Sequence, residues 1–434
     1  MFNAIRNAFA MPELRRKIIF TLTMVLVFRM GCYVPVPFLD PAALSGLIEG
    51  SGSIMNIMDT FSGGALSQGS FFALSYQPYI NASIVMQLLT YALPFLESLQ
   101  KEGETGQKKI QKITNFVSLG IALAMSYAYY VTVRGLGAIQ FTTGFAGVFT
   151  AIAIILTFTA GAQIISWMGN QITEKGIGQG ISILLFAGIV SRGPSTIINM
   201  FKAAAAQPTL FIAVFFVFVF FIGMMGFIVF MNESERRIPV HYAKRTVGRR
   251  QVGGQNSYLP IKIAMSGVMP IIFAMSVMAL PQTLEMFKPP AAVPEGFWQN
   301  FYADFINFFK YTSPWYAIVY FILIIAFNFF YVSMQYDPVK ISNQLRNSNG
   351  GIPGIRPGKP TADYVRKVMN KITVVGAFFL GVIAIIPIIS NLFISGLNVA
   401  MGGTTVLILV SVIIETARTL QSQMMMRHHR GFLE

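Results

Sequence analysis

Charge is what this sequence has least of. Only 11% of its 434 residues are Asp, Glu, Lys or Arg, while 54% are hydrophobic; soluble domains carry about 25% charged residues. A chain of this length with that deficit cannot cover itself with polar surface in water, so it needs lipid as solvent. The mean hydropathy of +0.60 agrees. Cysteine is nearly missing. A lone Cys32 excludes an intrachain disulfide framework and a cysteine-based metal cluster. The three histidines, His241, His428 and His429, lie in polar segments, which leaves no histidine-ligated site inside a bilayer. Zinc-protease, phosphate-loop, intramembrane Ser/His and paired-Asp motifs are also lacking, so there is no candidate catalytic, metal or cofactor residue. Arg15, Arg16 and Lys17 precede an apolar run, but no small-residue cleavage pattern follows, and residues 1–17 read as an amphipathic N-terminal helix rather than a cleaved signal.

What is abundant is apolar length. Runs near the ~20 residues needed to cross the hydrocarbon core fall at 18–34, 71–93, 116–133, 149–168, 181–199, 209–231, 264–284, 314–334, 372–390 and 402–420. The fifth is interrupted by Ser191, Arg192, Gly193 and Pro194. An even number of spans puts both termini on one side. If that side is cytoplasmic, most of the 32 Lys and Arg fall inside, and the outer segments hold only Arg134, Arg192, Lys202, Lys288 and Lys310. The positive-inside rule therefore sets the termini in the cytoplasm.

Two inner loops, 232–262 and 335–371, are long, basic and glycine-rich, with Tyr242, Tyr258, Ile352 and Ile355 among the charges. They read either as topological charge alone or as a docking surface for a large acidic partner. In the first outer loop, Ile54, Met55, Ile57, Met58 and Phe61 are apolar at helical spacing, too short to span, and followed by Ser62-Gly63-Gly64. Two readings stay open here as well: a re-entrant segment buried in protein, or an amphipathic helix on the outer leaflet. If spans one to five correspond to six to ten, Pro78-Tyr79-Ile80 in span two pairs with Pro270-Ile271-Ile272 in span seven. Corresponding breaks in two halves point to a central pathway between inverted repeats. Span interiors are nearly free of ionisable groups, apart from Arg29 and Glu415 near span ends. That argues against an ion-coupled transporter, which carries buried acids or histidines along its path.

A series of stretches then carries a family resemblance. They are FSGGAL (61–66), PYINASI (78–84), KEGETGQKK (101–109), ITEKGIGQGISI (172–183), ERRIPVHYAKR (235–245), GRR (248–250), LPIK (259–262), PGIRPG (353–358) and GGT (402–404). In order and spacing the whole chain resembles the SecY family of bacterial protein-export channels. It departs at Gln179, where the family pattern has asparagine, and in its short tail after Gly431.

The resemblance implies an all-α polytopic membrane protein: ten transmembrane helices in two pseudo-symmetric five-helix halves around an hourglass pore, with a short re-entrant plug helix. The implied divisions are 1–17, 18–199 with the plug at 54–66, 200–421, and a tail at 422–434. It implies a plug at Ile54, Met55, Ile57, Met58, Phe61, Gly63 and Gly64. The implied pore ring is Ile80, Ile84, Ile181, Leu185, Ile272 and Ile408. Such a ring dewets and blocks ions, since branched aliphatic side chains offer water no partner; an arbitrary span isoleucine would otherwise simply pack or meet lipid. A lateral gate is implied where spans two and three meet seven and eight. Arg356, Lys244, Arg245, Arg249 and Arg250 would dock a SecA-type motor ATPase or a ribosome. Small SecE-like and SecG-like subunits, secretory preproteins with signal sequences, and membrane lipid are the other implied partners. The glycine turn 173–180 is expected against another helix and near the SecE-like clamp. The implied setting is the bacterial cell membrane.

Overall fold

The computed structural model describes residues 9–41, 44, 59, 62–135, 137–139, 141, 143–206, 209–242, 245–247, 250–252, 256–287, 296–310, 313–393 and 403–428. Each of the ten apolar runs becomes a helix. The first half holds α1 (Pro12–Gly31), α2 (Gln77–Ala92) with its short continuation α3 (Pro94–Lys101), α4 (Glu104–Gly135), α5 (Gly144–Lys175) and α6 (Gly180–Ala206). In the second half are α7 (Thr209–Glu233), α8 (Met269–Phe287), the connecting α9 (Phe297–Phe308), α10 (Pro314–Gln335), α11 (Pro338–Asn347), α12 (Lys359–Phe393) and α13 (Gly403–His428). Among the described residues seven helices are by themselves long and apolar enough to cross a membrane. An eighth candidate is α2 with α3, bent by 97°. Shorter α8 and the basic start of α1 keep those two below that measure.

Helix bounds differ from the apolar runs where polar residues are good helix formers. Glu104, Lys108, Lys109 and Lys112 extend α4 beyond any hydrophobic signal, with Glu104 and Lys108 paired at 3.0 Å one turn apart. The N-terminal segment expected over 1–17 runs from Pro12 without a break into the first span. The expected interruption of span five is absent: α6 continues through Arg192 and Pro194. Conversely, 71–76 are turns, so the second span starts only at Gln77.

Within the first half α2 and α5 pack on α4, and α6 on α5, with α1 laid across α5 and α6. The second half repeats the theme, α10 between α8 and α12 and α13 between α7 and α12. Without a hydrophobic drive between lipid-bathed helices, small and polar residues hold such pairs. Ser126 and Thr159 meet at 3.0 Å and Gln163 donates to Ser118 at 3.1 Å between α4 and α5. In the other half buried Asn328 of α10 accepts from Ser266 and donates to the Thr373 carbonyl of α12 at 3.1 Å. The halves meet where α8 touches α2 and α4, and where α6 touches α7 and α13.

The two basic loops are not plain coil. β1 (Glu235–Tyr242) pairs antiparallel with β4 (Asn256–Lys262), from Glu235 opposite Lys262 to His241 opposite Asn256. Its other edge pairs with β5 (Gly350–Gly351), and between β1 and β4 lies a small hairpin of β2 (Arg245–Val247) and β3 (Arg250–Val252). A strand from one loop thus seats on the sheet of the other. Ile238, Ile261, Val332, Ile352, Val365 and Met369 form the core beneath it.

Candidate functional site

Helices α2 and α8 begin in the same way. Each follows a run of turns, carries a left-handed residue (Ser75, φ 50; Gly267, φ +61), and places a proline at its second position three residues later. A helix's first turn tolerates proline, whose missing N–H would be unsatisfied there anyway. The prolines therefore start these helices rather than kink them. Two residues further on stand Ile80 and Ile272.

From those starts the ring residues converge. Ile80, Ile84, Leu185 and Ile408 are buried and Ile181 and Ile272 half-buried, all in one apolar cluster that joins the two halves. They come from α2, α6, α8 and α13. Ile80 with Ile84, and Ile181 with Leu185, are one turn apart and share a helix face. Ala65, Phe28 and Phe72 belong to the same cluster, so the segment before α2 packs into it with the candidate ring residues.

That segment is clasped by polar groups. Arg29 Nη1 donates to the Gly63 carbonyl at 3.0 Å, and its guanidinium lies 5.4 Å from the Tyr33 ring centroid. Tyr129 of α4 donates to the Leu66 carbonyl at 3.2 Å. Arg192 pairs with Asp59 and donates to Ser67 Oγ at 2.9 Å. Gly63 and Gly64 have φ of +69° and +91°, and side chains there would collide with Arg29 and press on Arg192 Nε at 3.0 Å. Glycine is required at both. The candidate plug residues Ile54, Met55, Ile57, Met58 and Phe61 lie outside the described residues.

The tip 353–358 is a rigid turn. Gly354 and Gly358 have positive φ, Thr361 Oγ1 donates to the Arg356 carbonyl at 2.8 Å, and Ser342 Oγ donates to the Gly358 carbonyl at 2.8 Å. Arg356 itself is exposed, as is Tyr258, whereas Ile352 and Ile355 turn into the core. Arg245 and Arg250 sit at the start of the paired strands β2 and β3, and Lys244 and Arg249 lie outside the described residues. At the root of the sheet Arg418 of α13 binds Glu233 at 2.7 Å. Burial first, then the Arg418 charge, pulls the Lys262 ammonium below the usual lysine range, against the opposing Glu233, Glu235 and Glu415.

The turn 173–180 does pack against another helix. Ile177 N donates to Thr21 Oγ1 of α1 at 3.2 Å, and Gly180 lies on the α5 backbone at Gly169. Beside it an apolar groove of about 360 Å³ opens between α1, α6 and α13, lined by Leu22, Ile177, Phe186, Ile413 and Leu420 among others. No group of three or more potential metal ligands occurs among the described residues. Reasoning from sequence alone missed Asp59 and placed Arg192 in an outer connection. The signal was available, as a lone cation in an apolar run and a lone acid beside the glycine pair.

Comparison with known proteins decides the family. The SecY family model matches residues 70–417. The protein translocase subunit SecY of Corynebacterium glutamicum is 39% identical over 447 residues, covering 100% of both chains.

The chain belongs to the SecY family.

It is a translocase channel subunit of the SecY type rather than an enzyme. Two solved structures share its fold. A SecY whose plug domain is described as stabilising the closed state and maintaining a membrane seal aligns with a TM-score of 0.66 at 20% identity, covering 94% of this chain and 92% of that one. Sec61 from a canine ribosome–channel complex aligns with a TM-score of 0.63 at 19% identity and the same coverage.

Proposed function

We propose that this SecY-type subunit passes unfolded polypeptides between its two halves, through the ring of Ile80, Ile84, Ile181, Leu185, Ile272 and Ile408. The observation that carries this is the convergence of all six, four buried and two half-buried, from four helices of both halves in one apolar cluster that also holds Ala65 and Phe72 of the segment before α2. An apolar ring seals against ions by dewetting, yet accommodates a chain of varied side chains because dispersion contacts are not directional. The seam where α8 meets α2 and α4 is the lateral gate, releasing apolar helices into lipid. At its sheet end Tyr91 and Phe330 close edge to face, 5.8 Å between centroids.

No residue here can supply energy, so direction comes from a partner docked on the basic sheet around Arg356, either a SecA-type motor or a ribosome. A ribosome partner is favoured by the ribosome-bound Sec61 relative in the fold. The groove of α1, α6 and α13 beside the glycine turn takes a SecE-like single-span clamp, and a SecG-like subunit joins at the periphery. The setting is the bacterial plasma membrane with cytoplasmic termini, an orientation that the distribution of Lys and Arg supports.

The test is reconstitution into vesicles with the motor and a secretory preprotein. The expected result is energy-dependent protection of the preprotein from added protease; its absence with a folded, motor-bound complex would contradict the channel reading.

A further inference from the structure

We propose that Arg192 is a positioning residue that latches the plug end shut through Asp59 and Ser67, and that parting this latch is a step in channel opening. The inference rests on the channel reading above and adds a specific closing contact.

Four residues of α6 form one stripe: Ile181, Leu185, Gly188 and Arg192, at spacings of four, three and four. Such spacing keeps them on one helix face. The first two belong to the ring. Gly188 receives the plug end, since a side chain on Gly63 would meet its Cα at 3.1 Å. Arg192 follows Leu185 by two turns, about 10 Å along the axis. Ring and latch therefore ride on one rod, and a polypeptide that displaces the ring moves the latch as well.

The contacts are built rather than incidental. Asp59 is 4% exposed. One of its carboxylate oxygens pairs with Arg192 and the other accepts from Ser67 N at 2.7 Å. Its carbonyl accepts from Gly64 N at 2.9 Å and from Ser62 Oγ at 3.0 Å. Asp59 thus ties Ser62, Gly64 and Ser67 together. Arg192, bonded to both Asp59 and Ser67, fastens them to α6. Gly64 has no side chain, which leaves the guanidinium its room.

The energetics suit a switch better than a brace. A buried ion pair adds little net stability over a hydrophobic replacement, but removing one partner strands a buried charge. Closed and paired is one tolerable state. Open, with Asp59 hydrated in a water-filled vestibule, is the other. Intermediate positions leave the carboxylate dry and unpaired, so the contact favours two positions over a continuum.

The experiment compares vesicles carrying the parent complex, Arg192→Gln, Asp59→Asn and the double variant. Resting ion flux is measured together with transport of one normal preprotein and one whose signal sequence is weakened by a charge in its apolar stretch. Each single variant should raise resting flux about tenfold or more and transport the weakened preprotein several-fold better, and the double should be no leakier than either single. Singles as tight and as selective as the parent would overturn the latch, as would multiplying effects in the double. Loss of normal transport in the singles would also overturn it, because the pair would then be a structural support. Transport by the parent reports separately on the channel: a parent that moves no preprotein would sink the channel reading whatever the flux shows.

Discussion

The two helices that begin at the centre of this molecule, α2 and α8, are built alike and guarded differently. Both enter through turns, a left-handed residue, a proline and an isoleucine of the shared apolar cluster. Before α2 comes a segment held by Arg29, Arg192 and Tyr129, while before α8 comes a sheet whose core is apolar and whose face is basic. The proposed seal needs only branched aliphatic groups in register, which both halves supply in the same way. Away from those starts the halves diverge, into a polar clasp before α2 and a basic-faced sheet before α8.

The largest expected effect breaks the platform while sparing both helix starts. Arg356→Ala keeps the stapled turn, since the Arg356 contact is made by its carbonyl, but removes a guanidinium that no lysine replaces in bidentate pairing. Preprotein transport should fall by about a hundredfold, as loss of a hot-spot arginine does, with the amount of folded protein in the membrane unchanged. Normal transport would remove the docking assignment.

Next comes the likeness of the two starts. Ile80→Asn and Ile272→Asn should raise resting ion flux to similar extents, about tenfold each, because either wets the same ring. A leak from only one of them, read by single-channel conductance, would show that the halves do not share the seal.

Smaller effects sharpen the comparison. Asn328→Leu strips two buried hydrogen bonds from the second half and strands the Ser266 hydroxyl. Resistance to denaturation in detergent should drop by about 1 kcal/mol, in line with interhelical polar contacts in membranes. Smallest of all, Ser75→Gly should stabilise by a few tenths to about 1 kcal/mol and Gly267→Ala should cost a similar amount, since both positions are left-handed. Shifts of equal sign in the two would deny the parallel.

Much of this was legible in the sequence because lipid imposes a single strong pattern. All ten apolar runs are helices, and the nine family stretches hold Ile80, Ile84 and Ile181 of the shared apolar cluster and the left-handed pair Gly63 and Gly64. What hydropathy could not show is what polar residues do. The basic start of α4 reads as loop, although Lys, Glu and Gln are good helix formers. Ser191 to Pro194 reads as a break, although α6 runs through it with Arg192 paired to Asp59. The loop strands escaped notice because β5 is only Gly350–Gly351 and finds its partner far along the chain. Single-residue chemistry across sequence distance, as in Asp59 with Arg192, leaves no period to detect.

The central claim is that residues from both halves line one passage, and a chain caught in transit tests it most directly. With Cys32 replaced by Ser, single cysteines are placed at position 80, at position 272 and, as a lipid-side control, at position 216, where Phe216 is 65% exposed. A preprotein carrying one cysteine is then stalled part-way by a folded domain at its end. Disulfide bonds to the stalled chain should form from 80 and 272 alike and not from 216. Bonds from 80 and 272 no more frequent than from 216 would contradict a passage between the halves.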